Sequence, residues 1–465
     1  MADTLKVLSP YNLECIEELN FNTEKDVESC LNSADKLFKD RDRWLPPYKR
    51  IEILEKLAEL MKKNKSQFVE LAVKEGGKPF VDTEVEVDRA IQGIKLGAVA
   101  LHKLHGEQVP MGLTQPSVNR LATTFYEPVG PVVSLSAFNH PLNLIVHQTV
   151  PAIAAGCPVI VKPALDTPLS CLKFVRLIHE AGLPESWCQC LVVTNENAEK
   201  LACDNRVGYV SFIGSQKVGW YLRSRLAKGT RLALEHGGVA PVIIDKVDNL
   251  DDHIPDLIKG AFYHAGQVCV SIQRIYVAEA QLHELVEKLK EKANALKVGD
   301  PKEPDCDVGP LIRPQETERV GLWVEEAVKG GAKLACGGKA TGETLFEPTI
   351  LVNPPEDAKV SREEIFGPVV CVYSFKTLDE AIERANSLDY AFQASIFSNN
   401  LDRALYSVQR LNASCVMVND HTAFRVDWMP FGGRDWSGLG LGGIFHSAKE
   451  MMREKLMVIK SPSLS

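Results

Sequence analysis

Residues 131–162 read PVVSLSAFNHPLNLIVHQTVPAIAAGCPVIVK, and their rhythm decides the fold. A short apolar run at 132–136 has strand character, 144–155 has the length and apolar density of a helix, and 159–162 is a second run of Val and Ile. Short apolar strands alternating with helices are the pattern of a parallel sheet with crossover helices. The alternation continues downstream, with strands predicted at 191–193, 209–213 and 232–235 and helices at 169–180, 198–202 and 217–227. Together these segments predict a doubly wound α/β unit. A second series, with strands at 242–244, 275–278, 369–375, 395–397 and 415–419 and helices at 257–264, 282–296, 378–386 and 402–411, predicts a second α/β domain. Upstream, the opening section reads helical at 35–38, 50–61, 68–75 and 81–104. Gly76-Gly77-Lys78-Pro79 interrupts it, and a strand is predicted at 120–127.

The chain has 465 residues, 45% hydrophobic and 25% charged, which is globular composition; at about 150 residues per domain it suggests three domains or two large ones with an appendage. With 53 Lys and Arg against 61 Asp and Glu the formal charge is −8, so no global positive field is available for a polyanion and nucleic-acid binding is not expected. The most apolar stretch, 144–161, is broken by His147, Gln148, Pro151, Gly156 and Pro158 and falls short of the roughly 20 apolar residues of a membrane span. Residues 1–40 lack a basic start followed by an apolar run, so a cytoplasmic location is the expectation. Twelve scattered cysteines without disulfide or zinc spacing suggest reduced thiols. Cys188-x-Cys190 and His102-x-x-His105 are isolated pairs, so no metal is predicted.

Three places carry candidate chemistry. In Gly266-Gln267-Val268-Cys269 a cysteine sits among small and polar residues before a strand, where a thiol could act as a nucleophile; each of the twelve cysteines also fits the role of a small buried apolar side chain. Glu235 ends a predicted strand and is followed by His236-Gly237-Gly238, a placement that suits a general base and equally suits a strand-end acid facing water. Phe138-Asn139-His140-Pro141 lies between a strand and a helix, where the Asn139 amide could donate to an oxyanion or simply form a turn. Two further segments suit a phosphate-bearing ligand. Lys162 ends a strand, and Gly214-Ser215 begins a helix with Gly219 five residues after Gly214, a weak phosphate signal on spacing alone. The Gly-x-Gly-x-x-Gly at Gly438, Gly440 and Gly443 follows no predicted strand and opens no βαβ unit, so it is rejected as a dinucleotide fingerprint.

Taken in order, these segments resemble the aldehyde dehydrogenase superfamily over nearly the whole chain. The motifs are Phe-Asn-His-Pro at 138–141, Val-Lys-Pro-Ala at 161–164, Phe-Ile-Gly-Ser at 212–215, Leu-Glu-His-Gly-Gly at 234–238, Gly-Gln-Val-Cys at 266–269, Glu-Glu-Ile-Phe-Gly-Pro at 363–368 and Pro-Phe-Gly-Gly at 430–433. Seven in register are specific where each alone is not. The resemblance implies a Rossmann-like cofactor domain at 1–103 and 126–236, an α/β catalytic domain at 237–440, an oligomerisation element at 104–125 and 441–465, and a homodimer or homotetramer. The tail, with Met451, Leu456, Val458 and Ile459, is read as packing on another subunit. By the same resemblance Cys269 is the nucleophile, Asn139 and the Cys269 backbone N–H hold the oxyanion, and Glu235 activates the water that hydrolyses the thioester. The cofactor, NAD or NADP, falls to Lys162, Ala164, Leu165, Gly214, Ser215, Gly219, Glu364 and Phe366.

Several departures shape the expectation. Many NAD-preferring relatives carry a glutamate three residues after the cofactor lysine; Leu165 stands there, so NADP should be accepted, with Asp166 next door as a counterweight. His236 replaces the more usual leucine after the general base. His140 and Arg425 resemble positions in branches acting on small aldehydes with an anionic tail, where Arg pairs with the anion and a protonated His140 could add a second donor; the structural alternative is a helix-start His140 and an Arg425 paired with Asp427. Val268 stands where the phosphonoacetaldehyde branch carries an arginine, which leaves semialdehyde, lactaldehyde-like and glyceraldehyde-phosphate-like substrates open. Two rival functions keep part of this reading: acyl transfer from Cys269 to coenzyme A, and a cofactor-independent cysteine hydrolase or acyltransferase.

Overall fold

A computed structural model describes residues 4–464. A hairpin of β1 (Thr4–Leu8) and β2 (Cys15–Asn20) precedes four helices, α1 (Glu24–Lys39), α2 (Pro47–Lys63), α3 (Lys65–Gly76) and α4 (Phe80–Leu101). After β3 (Gln108–Val109) and β4 (Arg120–Pro128) comes the first alternating series. It runs β5 (Val132–Leu135), α5 (Asn143–Ala155), β6 (Val159–Lys162), α6 (Leu169–Glu180), β7 (Cys188–Cys190), α7 (Asn195–Ala202), β8 (Tyr209–Ile213), α8 (Gln216–Arg225) and β9 (Arg231–Glu235). The second series runs β10 (Pro241–Ile244), α9 (Ile254–Phe262), β11 (Arg274–Ala278), α10 (Leu282–Ala295), α11 (Pro314–Lys329), β12 (Lys333–Cys336), β13 (Thr349–Val352), α12 (Lys359–Arg362), β14 (Val369–Phe375), α13 (Leu378–Ala385), β15 (Tyr390–Ala391), β16 (Gln393–Phe397), α14 (Leu401–Arg410) and β17 (Cys415–Val418). The chain closes with β18 (Arg434–Asp435), β19 (Gly438–Leu439), α15 (Ile444–Glu450) and β20 (Met452–Lys460).

The first sheet has the order β19-β9-β8-β5-β6-β7, parallel except for β19. Successive residues of its strands enter opposite cores, as the pleat requires. Val132, Val159, Val161 and Tyr209 face the core shared with α2 to α6, whereas Val133, Ile160, Val210 and Phe212 face the core shared with α1, α7 and α8. Both faces are covered, which is why these strands are apolar throughout rather than alternating. The chain starts at β5, proceeds outward to β6 and β7, then returns to β8 and β9, so the winding reverses between β5 and β8. A crevice opens at the carboxyl ends of strands where such a reversal occurs. The second sheet has the order β12-β13-β14-β11-β10-β16-β17, parallel except for β12, and encloses its own large core. A third, antiparallel sheet has the order β20-β4-β3, with β20 and β4 paired along nine residues from Met452↔Pro128 to Lys460↔Arg120.

The structure corrects several boundaries. The strand expected at 191–193 lies upstream at β7; Leu191 N–H still donates to the Val161 carbonyl at 2.9 Å, but Val192 N–H turns away to the Asn22 side chain at 2.8 Å. The helix expected to reach 264 ends at Phe262, because Tyr263 is extended and His264 and Ala265 are left-handed with φ of 49° and 54°. The strand expected through Asn419 stops at Val418, where Asn419 turns left-handed at φ 54°. The opening hairpin, α11 and the β12–β13 pair are absent from the predicted elements, although α11 buries Thr317, Val320, Val324 and Ala327 at helical spacing. Met451, read as part of an outward-packing tail, is buried in the chain's own core beside α15, while Leu456, Val458 and Ile459 are exposed.

Helices α4 and α5 cross closely because α4 carries glycine where they meet. A Cβ at Gly97 would lie 2.2 Å from Val150 Cγ1, and one at Gly93 3.1 Å from Val146 Cγ1. Gly97→Ala in an exposed helix would stabilise by about 1 kcal/mol; here overpacking reverses the sign, with an expected loss of about 1–3 kcal/mol. Urea unfolding of Gly97→Ala, and of the same change in a Val150→Ala background where the clash is gone, checks the attribution.

Candidate active site

The carboxyl edge of the first sheet faces the amino edge of the second across a cavity of about 590 Å³. From the first sheet come the loop after β5 with Asn139, the end of β6 with Lys162, the turn after β8 with Gly214 and Ser215, and Glu235 at the end of β9. From the second come Cys269, ahead of β11, and Glu364 to Phe366, ahead of the neighbouring strand β14. Of the thirteen residues singled out in the sequence, twelve line this cavity: Asn139, His140, Lys162, Ala164, Leu165, Gly214, Ser215, Glu235, Cys269, Glu364, Phe366 and Arg425. Gly219 does not. It lies under the His236 ring, whose Cε1 would sit 2.0 Å from a Cβ there, and so serves the packing of α8 on His236.

The loop that presents Cys269 is fixed from behind. Gln267 is buried, donates to the carbonyls of Pro310 at 3.1 Å and His264 at 3.3 Å, and accepts the Ile312 N–H at 2.9 Å. Gly266 has φ +70°, and a Cβ there would strike the Gly367 carbonyl at 2.1 Å, so only glycine lets the nucleophile loop and the Glu364 loop run this close. Across the cavity the buried Asn139 amide donates to the Gln267 carbonyl at 2.9 Å. Burial pushes the Cys269 thiol well above the ordinary thiol range; the Glu364 and Glu235 carboxylates add to this and Arg425 opposes it. Burial likewise pushes Glu235 up to about 7, with Arg425 working against it.

The ring orientation of His236 is fixed. Nδ1 donates to the Gly214 carbonyl at 2.9 Å and burial lowers the pKa, while the ring packs between Phe212 and Trp220. The leucine-to-histidine departure is thus absorbed by packing, and Glu235 keeps its place beside Gly442, where a Cβ would meet its carboxylate at 2.4 Å.

The groups at the other end of the cavity fit a nucleotide. Lys162 is buried and makes no ion pair among the described residues; burial pushes its ammonium down to about 8, with Asp166 opposing. Ser215 caps α8 but its hydroxyl makes no capping bond, which leaves first-turn N–H groups at the cavity for an anion. Glu364 Oε1 is enclosed without a partner, and burial pushes this carboxyl up to about 8. An unpaired cation, an uncapped helix start and an unpaired carboxylate match a ligand bearing both phosphate and ribose hydroxyls.

The third region holds the two substrate-facing candidates. Arg425 is not paired with Asp427. Asp427 instead accepts from Arg89 at 2.9 and 3.1 Å, His147 at 2.8 Å and Asn143 at 3.4 Å; against the upward push of burial these partners hold it well below the carboxylate range. The Arg425 guanidinium lies 4.0 Å over the Phe431 ring, donates to the Met429 carbonyl at 3.2 Å, and leaves Nη2 buried and unpartnered. Burial, with Lys78 and His264 adding, holds the His140 pKa well below the ordinary value and so works against a protonated second donor, and its Nε2 pairs with the Tyr263 hydroxyl at 3.2 Å. Arg89, His147 and Tyr263, which also line this region, were not legible in sequence. The only available signal was that Asp82, Glu86 and Arg89 put charge at helical spacing in α4 on the side that should be apolar.

A carboxyl with a folded pKa of about 8 is neutral in the fold at low pH, so its cost is absent below its ordinary value of 4.5 and grows as pH rises toward 8. Without cofactor, Glu364→Gln should therefore raise Tm at about pH 8.5 by about 2–4 °C and leave it unchanged near pH 4.5. Thermal melts at the two pH values check the sign.

Comparison with known proteins agrees with this geometry. The Aldehyde dehydrogenase family profile matches residues 1–457. The 3-sulfolactaldehyde dehydrogenase of Priestia aryabhattai is 38% identical over 461 residues, 98% of this chain and 95% of that protein. The lactaldehyde dehydrogenase of Methanocaldococcus jannaschii is 35% identical over 462 residues, 98% of this chain and 97% of that one. Among solved structures, aldehyde dehydrogenase 21 of Physcomitrella patens in complex with the reaction product succinate superposes with a TM-score of 0.95 at 33% identity, covering 98% of this chain and 95% of that one. Glyceraldehyde-3-phosphate dehydrogenase GapN of M. jannaschii complexed with NADP gives 0.94 at 34% identity, covering 99% and 100%. With the profile spanning nearly every residue and relatives above 30% identity along almost the full length, the chain belongs to the aldehyde dehydrogenase family.

Proposed function

We propose that this NAD(P)-dependent aldehyde dehydrogenase oxidises a small aldehyde with an anionic tail to the carboxylic acid, using Cys269, Asn139 and Glu235 for the chemistry and Arg425 for the tail. The observation that carries the reading is the Arg425 guanidinium on the wall of the same cavity that holds Cys269 and Glu235: it makes no ion pair among the described residues, and its Nη2 is buried without a hydrogen-bond partner. Relatives named for sulfolactaldehyde and lactaldehyde, and neighbours solved with succinate and with NADP, support it.

Cys269 Sγ attacks the aldehyde carbon, its proton leaves for Glu235 or water, and the Asn139 amide with the Cys269 backbone N–H stabilises the oxyanion of the thiohemiacetal. A bound oxidised nicotinamide would supply the acceptor for the hydride whose loss turns the thiohemiacetal into the thioester. Glu235 then takes a proton from water, whose oxygen attacks the Cys269 thioester; the C–S bond breaks, the acid is released and the thiol is restored. Lys162 and Glu364 would hold ribose hydroxyls, the α8 start with Ser215 would hold phosphate, and Phe366, left-handed at φ 50° and edge-on to Phe138, would shape the nicotinamide end. Leu165 offers no charge to repel a 2′-phosphate, which is the basis for NADP being accepted. Asp166 lies 3.8 Å from Arg313, whose charge draws it away from that task.

The same reading assigns residues 1–103 and 126–236 to the cofactor, 237–440 to catalysis, and 104–125 with 441–465 to assembly into a homodimer or homotetramer. The exposed Leu456, Val458 and Ile459 on the long strand β20 support the last part, since a nine-residue edge strand with apolar side chains invites cover. No described helix is long and apolar enough to cross a membrane, and all twelve cysteines are unpaired, which suits the reducing cytoplasm.

Cys269→Ala should abolish aldehyde oxidation measured as reduced nicotinamide. Glu235→Gln should leave one turnover per site and slow the steady state by about 10²–10⁴-fold. The wild-type hydrolytic rate should rise through about pH 7, as the base ionises, and this limb should vanish in the variant. The product must be the free acid; acyl-CoA formation when coenzyme A is added would replace this reading with the acylating one. Arg425→Met should raise KM for an anionic aldehyde by about 10–10²-fold while sparing a neutral aldehyde of equal length. Leu165→Glu should lower kcat/KM with NADP relative to NAD by about tenfold or more.

A further inference from the structure

The helix stop Gly76-Gly77-Lys78-Pro79 has no part in the chemistry above, yet it touches both sides of the Asn139–Gln267 bond. Helix α5 begins four residues after Asn139 and has no side-chain cap of its own. Its first N–H groups, those of Leu142 and Asn143, are instead taken by Glu86 Oε1 from helix α4, at 3.0 Å each. Glu86 is 1% exposed and is neutralised by Lys78, also 1% exposed, through a buried ion pair. The neighbouring Gly77 packs on the other partner's support. With φ +69°, a Cβ there would sit 2.7 Å from Pro310 Cγ, and a Cβ on Gly309 would strike the Gly77 carbonyl at 2.2 Å. The Pro310 carbonyl in turn holds the Gln267 side chain.

We infer that Glu86, with Lys78, is a positioning residue for the reaction: it pins the start of α5 so that the Asn139 amide stays aimed at the oxyanion position above Cys269. The contacts form a closed circuit, from Asn139 to α5, Glu86, Lys78, Gly77, Pro310, Gln267 and back to Asn139. A carboxylate is the right group for this place because it accepts two N–H bonds at once and complements the positive start of a helix. Lys78 makes its burial tolerable; alone, either charge would be stranded without solvent. The circuit holds the amide on both sides, so a small shift of α5 moves the donor without touching Cys269, Glu235 or Lys162. A donor displaced by about 1 Å can lose as much as 10²-fold in rate.

The inference rests on Asn139 being the oxyanion donor, and the test separates the two. In a Lys78→Met background, which removes the stranded charge, Glu86→Gln keeps an acceptor for the two N–H groups and Glu86→Ala removes it. Each is measured with Asn139 intact and with Asn139→Ala, as the single-turnover rate of reduced-nicotinamide formation at saturating anionic aldehyde and cofactor, alongside cofactor Kd by fluorescence. The expected result is a loss of about tenfold or more from Glu86→Gln to Glu86→Ala when Asn139 is present. That loss should shrink to less than about threefold when Asn139 is already gone, with cofactor Kd changed less than twofold throughout. An equal loss in both backgrounds, or none, overturns the positioning role and leaves Asn139 as donor. If Asn139→Ala alone leaves the rate unchanged, the oxyanion assignment falls first and this inference with it. Glu86→Asp, whose shorter arm draws the carboxylate away from the helix start, carries the same comparison should the alanine variant fail to fold.

Discussion

The Asn139 amide ties the two halves of the site together by donating to the Gln267 carbonyl at 2.9 Å. This bond crosses from the carboxyl edge of the first sheet to the loop that carries Cys269. Much of the surrounding structure can be read as what is needed to let it form. The sheet edges must face each other closely, and Gly237 allows this against the Glu364 carboxylate, while Gly266 against the Gly367 carbonyl lets the two loops of the second sheet run together. The Gln267 side chain spends its own hydrogen bonds on Pro310, His264 and Ile312, leaving its backbone carbonyl for Asn139. Since an amide at this place has to serve a carbonyl oxygen when substrate is present, its fixed alternative partner keeps it aimed rather than free.

Buried acids divide into two kinds around this bond. Glu86 and Asp427 are saturated, the first by Lys78 and two backbone N–H groups, the second by Arg89, His147 and Asn143, and they hold helices and loops in place. Glu75 belongs with them: it accepts the Leu169 and Ser170 N–H groups at the start of α6, although without a cation burial pushes it up to about 7. Glu235 and Glu364 are enclosed without such partners and are pushed up to about 7 and 8 by that burial. A structural acid is surrounded by donors. An acid that must exchange protons or meet a ligand is left short of them; the raised pKa alone does not separate the two kinds, since burial without a cation raises Glu75 as far as Glu235.

The fold was legible where apolar runs were short, Val- and Ile-rich and bounded by turns: β6, β8 and β14 match their predicted limits residue for residue. It was not legible where tertiary contacts decide. β7 is three residues long and begins with a cysteine, and the chain beyond it looks more like a strand than the strand does. Helix α9 stops at Phe262 because the nucleophile loop needs left-handed His264 and Ala265, which no helical pattern in Leu257 to His264 announces. The residues gathered in the cavity were readable because they sit at strand ends in motifs whose order is specific. Arg89, Tyr263 and the Glu86–Lys78 pair were not, since each acts on the site from a helix or corner far away in sequence, and single-sequence patterning carries no record of which distant backbone N–H a side chain will meet. The structural alternative of an Arg425–Asp427 pair is not formed for the same reason, a distant arginine reaching Asp427 first.

The unpaired groups of the cavity set a final constraint. Glu364 Oε1 and Arg425 Nη2 are held out of water without a hydrogen-bond partner among the described residues, a state that destabilises the empty protein by an order of 1–3 kcal/mol per group, and Lys162 and the uncapped start of α8 stand beside them without a partner of their own. Their geometry survives because the cores on both faces of each sheet, not the site, supply the stability. A ligand that satisfies these groups together recovers what each one forfeits, so a cofactor bringing hydroxyls and phosphate, and an aldehyde bringing an anion, should bind more firmly as the site is better desolvated. Selectivity follows from the same shortage: a neutral substrate that reaches Cys269 would leave Arg425 unpaired, and a buried unpaired cation discriminates against the wrong partner more strongly than any apolar contact in the cavity can.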